Sequence, residues 1–557
     1  MNSEVSAQTE TGPGSVLSRR RFLGLVLAAF LWFGGLGYRD LTHSDEGRYS
    51  EISREMASTG DWVTPRLNGL KYFEKPPLQY WATALAFDAF GESEFVARLW
   101  VGLCGFATVI LVYWTALRLW GARTADYAGI TCASMIWIMG MSHIATLDMG
   151  VTFFMTLALC GFLRAQHDGA TEGETRRWMW ITWGAMAGAL LSKGLIGVVL
   201  PGAVLTLYSL ICRDWRPWRR LKWYSGVPIF AALAAPWHVL VSRRNPEWAR
   251  FYFIHEHLNR FLTTEHHRRG AWFYFLPLLV AGLLPWTTLL PQIVRRGWRS
   301  DTGRFQTNRF LLIWSAFIFV FFSLSGSKLP SYILPIFPAL GLLLAQVLAA
   351  GRAGEMRRHA LAIVVLMAVL SLGSLIFGRI GYGSTPMEMN RTLSHWALAG
   401  SMVFGLMAAA AARAATAERK SQSVLLLAVG SLLFLNATML GYQSYSPLLS
   451  SAVLSRKLRP IVGADTPLFA VNYYDQTLPF YMKRTVTLVG YVDEFDLGER
   501  QEPQKWVPDL PTFGRLWREL PRGVAVTNPA SLVSLRQLGI PMQIVDETPH
   551  RIVFRKP

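Results

Sequence analysis

The chain has little charge and little cysteine for its length. Only 16% of its 557 residues are Asp, Glu, Lys or Arg, whereas 52% are hydrophobic and the mean hydropathy is +0.27. So apolar a composition excludes an ordinary soluble enzyme. The four cysteines show no C-x-x-C spacing, so the sequence indicates neither a disulfide framework nor a zinc finger. A P-loop and a G-x-G-x-x-G motif after a strand are also missing, which excludes the common nucleotide-binding motifs.

Acidic residues are scarce relative to basic ones. The chain has 36 Asp and Glu against 55 Lys and Arg, which gives a formal net charge of +19. The basic residues gather in short connections between apolar runs, as is typical of the cytoplasmic loops of membrane proteins. Topology therefore explains the positive charge, and we expect no nucleic-acid partner.

Long apolar runs are abundant. A helix needs about 17 to 25 apolar residues to cross the hydrocarbon core of a bilayer. About thirteen runs approach or meet this length, so we predict a polytopic α-helical integral membrane protein with about 13 transmembrane helices. The runs are 22–38, 99–117, 125–142, 149–164, 178–192, 195–212, 225–242, 272–292, 310–324, 331–350, 360–377, 396–412 and 423–441.

Basic clusters lie at every second connection between these runs. This alternation places those connections and the N-terminus in the cytoplasm. An odd number of spans then puts the C-terminus and the connection 39–98 on the extracytoplasmic side. The clusters are Arg19/Arg20/Arg21, Arg118/Arg123, Arg176/Arg177, Arg213/Arg216/Arg219/Arg220/Lys222, Arg295/Arg296/Arg299, Arg352/Arg357/Arg358 and Arg413/Arg419/Lys420.

The composition divides the chain into three parts. Residues 1–21 form a cytoplasmic tail, 22–442 a transmembrane domain, and 443–557 a small extracytoplasmic α/β domain. The last part has no spanning run and mixes β-rich segments with turn residues. Its predicted strands are 467–471, 485–489, 523–527, 542–545 and 551–554, with helices at 474–482 and 512–520.

The external connection 39–98 is long for a plain loop. Apolar residues recur at helical spacing in 46–58 and 77–90, which predicts two amphipathic helices. Such helices can lie in the membrane interface and cover a cavity. The alternative is a compact loop packed on itself.

Asp45, Glu46, Arg48 and Tyr49 stand just after the first apolar run. Charged groups beside a bilayer are costly, so their concentration indicates a functional site. Both acids also begin a predicted helix, where the macrodipole favours negative charge. A helix-capping role is therefore the alternative for Asp45, but capping does not explain the other charges in the loop.

Glu74 and Lys75 precede two prolines, which stiffen the chain and exclude a helix there. A charged pair on a rigid turn can be aimed at a substrate, and Tyr72 adds a hydroxyl suited to binding a phosphate or a sugar. The alternative is a solvated Glu-Lys pair of little energetic value.

Asp148 and Lys193 stand at the outer ends of predicted spans. A charge that abuts a hydrophobic span is costly, which favours a functional role for both. The predicted topology places them on the same side of the membrane as Asp45, Glu74 and Lys328.

The external segment 243–271 breaks the charge pattern, because it carries six arginines, Arg260 among them. It is either a tolerated exception, since orientation is a summed bias, or a face that receives lipid headgroups or phosphates. His255 in this segment could ligate a divalent metal such as zinc together with Glu74. The alternative for His255 is a polar loop residue without a metal.

Three phased blocks in the connection 39–98 carry a family resemblance. They are Asp45-Glu46-Gly-Arg48-Tyr49-Ser-Glu51, Gly60-Asp61-Trp62-Val-Thr-Pro65-Arg66 and Tyr72-Phe73-Glu74-Lys75-Pro76. The pattern closely resembles the first external loop of bacterial aminoarabinose transferases, in the protein-O-mannosyltransferase-like group of glycosyltransferases with the GT-C fold. The resemblance is strong over 40–100 and consistent in layout over the rest.

This resemblance implies an inverting glycosyltransferase that acts at the periplasmic face of a bacterial inner membrane. The donor would be undecaprenyl-phosphate-linked 4-amino-4-deoxy-L-arabinose and the acceptor a phosphate of lipid A. This modification of lipid A would confer resistance to polymyxin. We expect the enzyme to use no organic cofactor. We also expect it to be a monomer that is surrounded by membrane lipids. The alternatives are a mannosyltransferase acting on protein or another lipid, and a lipid or sugar transporter.

The resemblance and the residue patterns together nominate a site in which positive groups stabilise the leaving lipid phosphate. The residues expected to be catalytic are Asp45, Glu74, Lys75 and Asp148. The residues expected to bind substrate are Arg48, Tyr49, Tyr72, Lys193 and Arg260.

Overall fold

Helices make up most of the protein. The computed structural model describes residues 19–253, 270–380 and 385–557. The longer helices outside the C-terminal domain are Arg19–Phe33, Asp45–Thr59, Leu78–Phe90, Glu94–Trp120, Ala122–Ser134, Leu147–Gln166, Glu172–Lys193, Ile196–Cys212, Trp223–Arg244, Thr307–Leu324, Phe337–Ala350, Ala353–Phe377, Met387–Thr416 and Lys420–Tyr442. Shorter ones include Ile136–Met141, Arg216–Arg219, Trp248–Arg250, Phe275–Gly282 and Leu290–Trp298.

Every predicted apolar run falls on a helix or on a pair of helices separated by a break. In the described part of the chain, eight helices are long and apolar enough to cross a membrane, or nine if the bent pair Phe275–Gly282 and Thr287–Trp298 is one span. The predicted count of about thirteen is therefore not reached by this measure. The 15-residue helix Arg19–Phe33 and the 17-residue helix Ile196–Cys212 are shorter than the shortest of those eight, which has 18 residues.

Two of the spanning helices lie at the centre of the fold and others lie at its edge. The most apolar windows of Leu147–Gln166 and Pro330–Ala350 are 78% and 83% buried, whereas that of Ala353–Phe377 is 17% buried. An apolar helix that stays exposed in the protein fits a lipid environment. The central pair therefore supplies the walls of interior cavities, and the outer helices face lipid.

The external connection folds into two helices joined by a small hairpin. The first, the loop helix Asp45–Thr59, ends at Gly60, whose φ of +70° is in the left-handed region that glycine favours. Strands β1 (Arg66–Leu67) and β2 (Leu70–Lys71) pair antiparallel, and the helix Leu78–Phe90 follows. The predicted helices 46–58 and 77–90 are thus confirmed.

A buried ion pair fixes the start of the loop helix. Arg98 donates from Nε to Glu46 Oε1 at 2.7 Å and from Nη2 to Glu46 Oε2 at 2.9 Å, and both side chains are at most 1% exposed. The Arg98 guanidinium also donates to the carbonyls of Leu36, Arg39 and Asp40. Every charge in this cluster has a partner, so Glu46 is structural.

The C-terminal domain is built on a five-stranded mixed sheet in the order β4-β3-β5-β7-β6. β3 pairs parallel with β4 and β5, whereas β7 pairs antiparallel with β5 and β6. The strands are β3 (Leu468–Val471), β4 (Thr487–Val489), β5 (Val524–Thr527), β6 (Gln543–Glu547) and β7 (Ile552–Arg555). Helices in this domain include Ala452–Leu458, Leu478–Met482, Asp496–Gln501, Leu510–Glu519 and Pro529–Gln537. All five predicted strands and both predicted helices are confirmed.

The C-terminal domain packs directly on the hairpin of the external connection. Arg66 donates to Glu502 at 3.0 Å, and Asn68 exchanges hydrogen bonds with the backbone of Val486. A Cβ on Gly498 would lie 2.9 Å from Leu70 Cβ, so only glycine permits this approach. The domain therefore holds the connection in place from outside.

Candidate active site

A cavity of about 930 Å³ opens beside the central helices. Its polar lining comes from Lys75, Asp148, Lys193 and Tyr332, and also from Ser325 and Ser327. Its apolar lining comes from Val151, Met155, Ile196, Leu200, Phe321, Phe322 and Pro335. One end can thus hold a charged group and the other an apolar chain, an arrangement suited to an amphipathic ligand.

Asp148 and Lys193 form an ion pair at the polar end of the cavity. Lys193 Nζ donates to Asp148 Oδ1, and the two side chains are only 12% and 9% exposed. The ammonium also lies 4.8 Å from the ring centroid of Tyr332, a cation–π contact. Asp148 stands in the first turn of its helix and Lys193 in the last turn of the next. Because the second helix runs back along the first, both residues lie at the same end of the helix pair.

Lys75 reaches the same cavity from the external connection. Its Nζ donates to the Glu74 carbonyl at 2.9 Å and lies 3.9 Å from the Glu74 carboxylate. The prolines that follow prevent a helix here until Leu78, as the sequence predicted. The cavity lining includes Lys75 but neither Glu74 nor Asp45.

Arg48 links Asp45 to the C-terminal domain. It donates from Nη1 to Asp45 at 3.2 Å and from Nη2 to Glu494 at 3.1 Å. Arg48 and Glu494 side chains are 10% and 4% exposed, whereas that of Asp45 is 37% exposed. Burial opposes ionisation of Glu494, but Arg48 outweighs it and lowers the pKa of this carboxyl. Asp45 is therefore positioned and accessible at once.

Three tyrosines surround Arg48. Tyr49, Tyr72 and Tyr80 are buried, and burial followed by nearby carboxylates such as Glu74 raises the pKa of each phenol well above its usual value. They stay neutral at physiological pH. The Tyr72 hydroxyl is shielded from solvent, so a direct contact with substrate requires a rearrangement, and the predicted binding roles of Tyr49 and Tyr72 stay predictions.

The structure brings together most of the residues singled out in the sequence. Lys75, Asp148 and Lys193 share one cavity, and Asp45 and Arg48 form an adjoining cluster whose electrostatics include Glu74. Arg260 and His255 lie outside the described residues, so their predicted roles are not addressed by the structure. Among the residues that are described, no group of three or more His, Cys, Asp or Glu side chains is arranged to hold a metal.

Two residues of this region escaped the sequence reasoning. Tyr332 lies in an apolar run and gave no signal beyond its place near Lys328. Glu494 lies in the C-terminal domain, 446 residues from its partner Arg48. The run Asp493-Glu494 was an available clue, because adjacent acids in a basic protein need a cationic partner.

Two family models match the chain. The model described as the aminoarabinose transferase C-terminal domain matches residues 454–556. The model described as dolichyl-phosphate-mannose-protein mannosyltransferase matches residues 17–252. The second match covers the external connection and the Asp148 and Lys193 helices, and the first covers the mixed sheet.

Similar proteins carry one recurrent name, undecaprenyl phosphate-α-4-amino-4-deoxy-L-arabinose arabinosyl transferase. The relative from Pseudomonas aeruginosa strain UCBPP-PA14 is 36% identical over 400 residues, which are 69% of this chain and 71% of the relative. The relative from Aeromonas salmonicida is 33% identical over 380 residues, 66% of this chain and 69% of the relative.

The crystal structure of ArnT from Cupriavidus metallidurans bound to undecaprenyl phosphate superposes with a TM-score of 0.92 at 36% identity, covering 96% of this chain and 97% of that chain. Its apo state gives a TM-score of 0.90 over the same shares. These matches confirm the predicted GT-C membrane fold with a C-terminal α/β domain. The chain therefore belongs to the family of undecaprenyl phosphate-aminoarabinose arabinosyl transferases, which are multi-span membrane glycosyltransferases.

Proposed function

We propose that this protein transfers 4-amino-4-deoxy-L-arabinose from undecaprenyl phosphate to a phosphate of lipid A, at the periplasmic face of the inner membrane. The observation that carries the proposal is the cavity in which Lys75, Asp148 and Lys193 meet an apolar wall. A polyprenyl phosphate has this same division between a charged head and an apolar chain. The likeness to a structure bound to undecaprenyl phosphate supports the donor.

The two lysines of the cavity receive the donor phosphate in this proposal. Lys75 and Lys193 both line the polar end, and preorganised cations in a partly buried site stabilise charge that develops on a leaving group. Asp148 holds the Lys193 ammonium through their ion pair. The reaction is a displacement at the anomeric carbon with inversion, in which the bond to the lipid phosphate breaks as the acceptor oxygen bonds.

The acceptor decides what Asp45 does. A lipid A phosphate is already ionised near neutral pH, so its oxygen attacks without a strong general base. Asp45, half exposed and held by Arg48, then orients the donor through its amino group and stabilises positive charge on the sugar ring. Arg48, Tyr49 and Tyr72 support this cluster, whereas a contribution of Arg260, which lies outside the described residues, stays a prediction from the sequence.

A divalent metal bound by Glu74 and His255 stays a prediction. Glu74 offers one carboxylate close to Lys75, and among the described residues no group of three or more His, Cys, Asp or Glu side chains is arranged to hold a metal. No step of the proposed reaction is therefore assigned to a metal.

The competing assignment is a mannosyltransferase that acts on a hydroxyl. It draws on the family model over residues 17–252. A hydroxyl acceptor must lose a proton, so Asp45 would then act as the base and the rate would fall with its protonation. The relatives are named for an undecaprenyl phosphate-aminoarabinose donor, which favours transfer of aminoarabinose over transfer of mannose.

The test is mass spectrometry of lipid A from cells with and without the protein. Deletion should remove the aminoarabinose added to lipid A phosphates and raise sensitivity to polymyxin. Complementation with Lys193→Met should fail, and Lys457→Met, an exposed lysine of the C-terminal domain, should restore the modification. Unchanged lipid A after deletion would overturn the assignment.

The orientation needs its own experiment. Alkaline phosphatase, which is active only in the periplasm, is fused after Pro557. Strong phosphatase activity is expected, because the basic connections place the N-terminus in the cytoplasm and the C-terminal domain outside. An inactive fusion with intact expression would contradict a periplasmic C-terminal domain.

A further inference from the structure

A second cavity lies between the helices Leu147–Gln166, Glu172–Lys193, Ile196–Cys212 and Thr307–Leu324. It is lined almost wholly by apolar side chains. They include Leu159, Met179, Trp183, Leu205, Phe310 and Trp314. A space of this composition offers water no hydrogen-bond partners but suits a hydrocarbon. None of its lining residues belongs to the catalytic cavity.

This apolar cavity is displaced from the catalytic cavity along the helix Glu172–Lys193, toward the N-terminal end of that helix. The helix Glu172–Lys193 has 22 residues and is therefore about 33 Å long. Its last residue, Lys193, lies in the catalytic cavity, whereas Met179 and Trp183, near its middle, line the apolar one. At its far end Glu172 pairs with Lys222. The two cavities therefore lie at different levels of this helix, and the apolar one is nearer to the basic segment that contains Lys222.

Tryptophans mark the mouth of the apolar cavity. Trp223 is 44% exposed and stacks on Trp218, with ring centroids 6.2 Å apart and planes 15° apart. Trp314, on the opposite wall, is only 2% exposed. Indole rings favour the boundary between the hydrocarbon core and the headgroups. We therefore place the end of the cavity lined by Trp218 and Trp223, its mouth, at headgroup level, with the buried Trp314 on its inner wall.

Positive charge without a counterion stands beside this mouth. The segment 213–222 carries five basic residues, and Trp218 and Leu221 of the same segment line the cavity. Asp214 pairs with Arg216, but no carboxylate of the described residues forms an ion pair with Arg213 or Arg219, which are exposed. Basic pockets of this kind at the ends of spans bind anionic lipid headgroups.

We propose that the apolar cavity holds one acyl chain of an anionic phospholipid, whose phosphate lies against Arg213 and Arg219. The polyprenyl donor does not fit this role, because its phosphate is needed beside Lys75 and Lys193. A helix of about 33 Å separates those lysines from the basic segment. The site takes a lipid of the surrounding bilayer as a permanent ligand and is independent of the proposed function.

Gly202 offers a way to fill the cavity. It lines the space, and a Cβ added there would meet nothing within 4 Å, so the side chain of Gly202→Leu starts from an unobstructed position on the cavity wall. Gly373→Leu is the matched control. Gly373 is also helical and also has nothing within 4 Å of its Cβ, but it is exposed and does not line the cavity.

The experiment is native mass spectrometry of the full-length protein in detergent, titrated with dioleoyl phosphatidylglycerol, dioleoyl phosphatidylcholine or undecaprenyl phosphate. Gly202→Leu should weaken retention of phosphatidylglycerol about tenfold, since about two methylenes of the chain lose their burial. Gly373→Leu should retain it like the unaltered protein. The unaltered protein, Gly202→Leu and Gly373→Leu should all bind undecaprenyl phosphate equally well.

The double variant Arg213→Gln/Arg219→Gln tests the headgroup. It should abolish the preference for phosphatidylglycerol over phosphatidylcholine, whereas Arg357→Gln/Arg358→Gln, on another basic connection, should leave that preference intact. Equal retention by Gly202→Leu and Gly373→Leu would overturn the proposal. Loss of undecaprenyl phosphate alone in Gly202→Leu would also overturn it and assign the cavity to the polyprenyl chain.

Discussion

Asp45 and Glu46 are neighbours in the chain and carry the same charge, yet the fold gives them opposite surroundings. Glu46 is 1% exposed and fully engaged by Arg98, whereas the Asp45 side chain is 37% exposed and shares Arg48 with Glu494. The first is held by groups of the transmembrane domain, and the second by Arg48, which the C-terminal domain anchors through Glu494. In this loop a buried acid stabilises the fold, whereas the proposed reaction uses its accessible neighbour.

The largest expected effect is the loss of the buried pair. Glu46→Gln leaves the Arg98 charge uncompensated in the interior, which should lower the free energy of unfolding by about 3 kcal/mol. Thermal unfolding of the purified protein measures it, with the exposed Glu388→Gln as control. An unfolding midpoint equal to that of the control would contradict a stabilising role for Glu46.

The same pair predicts an acid limit. Burial alone would raise the pKa of Glu46, but Arg98 prevails and lowers it to about 2. An unfolded Glu titrates near about 4.3, so the pair's contribution is present above that pH and lost as pH falls toward about 2. The stability of Glu46→Gln should therefore vary less than that of the unaltered protein over this interval.

Asp45→Asn should spare folding and lower turnover by about 100-fold, because it removes a preorganised charge beside the reacting sugar. The unfolding midpoint should match that of the unaltered protein. Aminoarabinose transfer to lipid A in membranes gives the rate, measured across pH. If the activity of Asp45→Asn is full, Asp45 is outside the mechanism, and the contrast with Glu46 reduces to one of burial.

Glu55 should make the loop sensitive to mild alkali. Burial, followed by the charge of Glu51, raises the pKa of Glu55 to about 8. Its contribution to stability is therefore full below about pH 4.3 and is lost as pH rises through about 8. Glu55→Gln should show a flatter stability profile from about pH 6 to pH 8.5. Parallel profiles for the two proteins would contradict this prediction.

The smallest effect belongs to the contact between hairpin and C-terminal domain. Arg66 and Glu502 are 25% and 12% exposed, and such partly solvated pairs are worth about 0.5 kcal/mol. Arg66→Gln should shift the unfolding midpoint little and leave turnover unchanged. A large loss of turnover would show that the hairpin transmits the position of the domain to Asp45.

Elements whose pattern is local were predictable from the sequence. The loop helix, the helix Leu78–Phe90 and the five strands of the C-terminal domain follow from apolar periodicity and turn residues, and the structure has them within a few residues. The apolar runs were located correctly, since each falls on a helix or on a broken pair of helices. Eight or nine of the described helices are long and apolar enough to cross by themselves, and an apolar run does not reveal where its helix breaks.

Partners distant in sequence were not predictable. Nothing near Arg98 in the chain announces that it pairs with Glu46, 52 residues earlier, and Glu494 is farther still from Arg48. Charge alone shows that a partner is needed, whereas packing decides which one is chosen. The proximity of Asp148 to Lys193 was predictable, because the sequence places both at the outer ends of apolar runs, on the same side of the membrane.

The contact between Arg48 and Glu494 has a consequence for synthesis of the protein. A ribosome adds about 5 to 20 residues per second, so the 446 residues between the two take roughly 20 to 90 s to make. In the proposed topology the connection is exported during that time but lacks its partner in the C-terminal domain. Chains that stop before the last domain leave Arg48 and Asp45 without this anchor, so only a finished chain acquires the complete cluster.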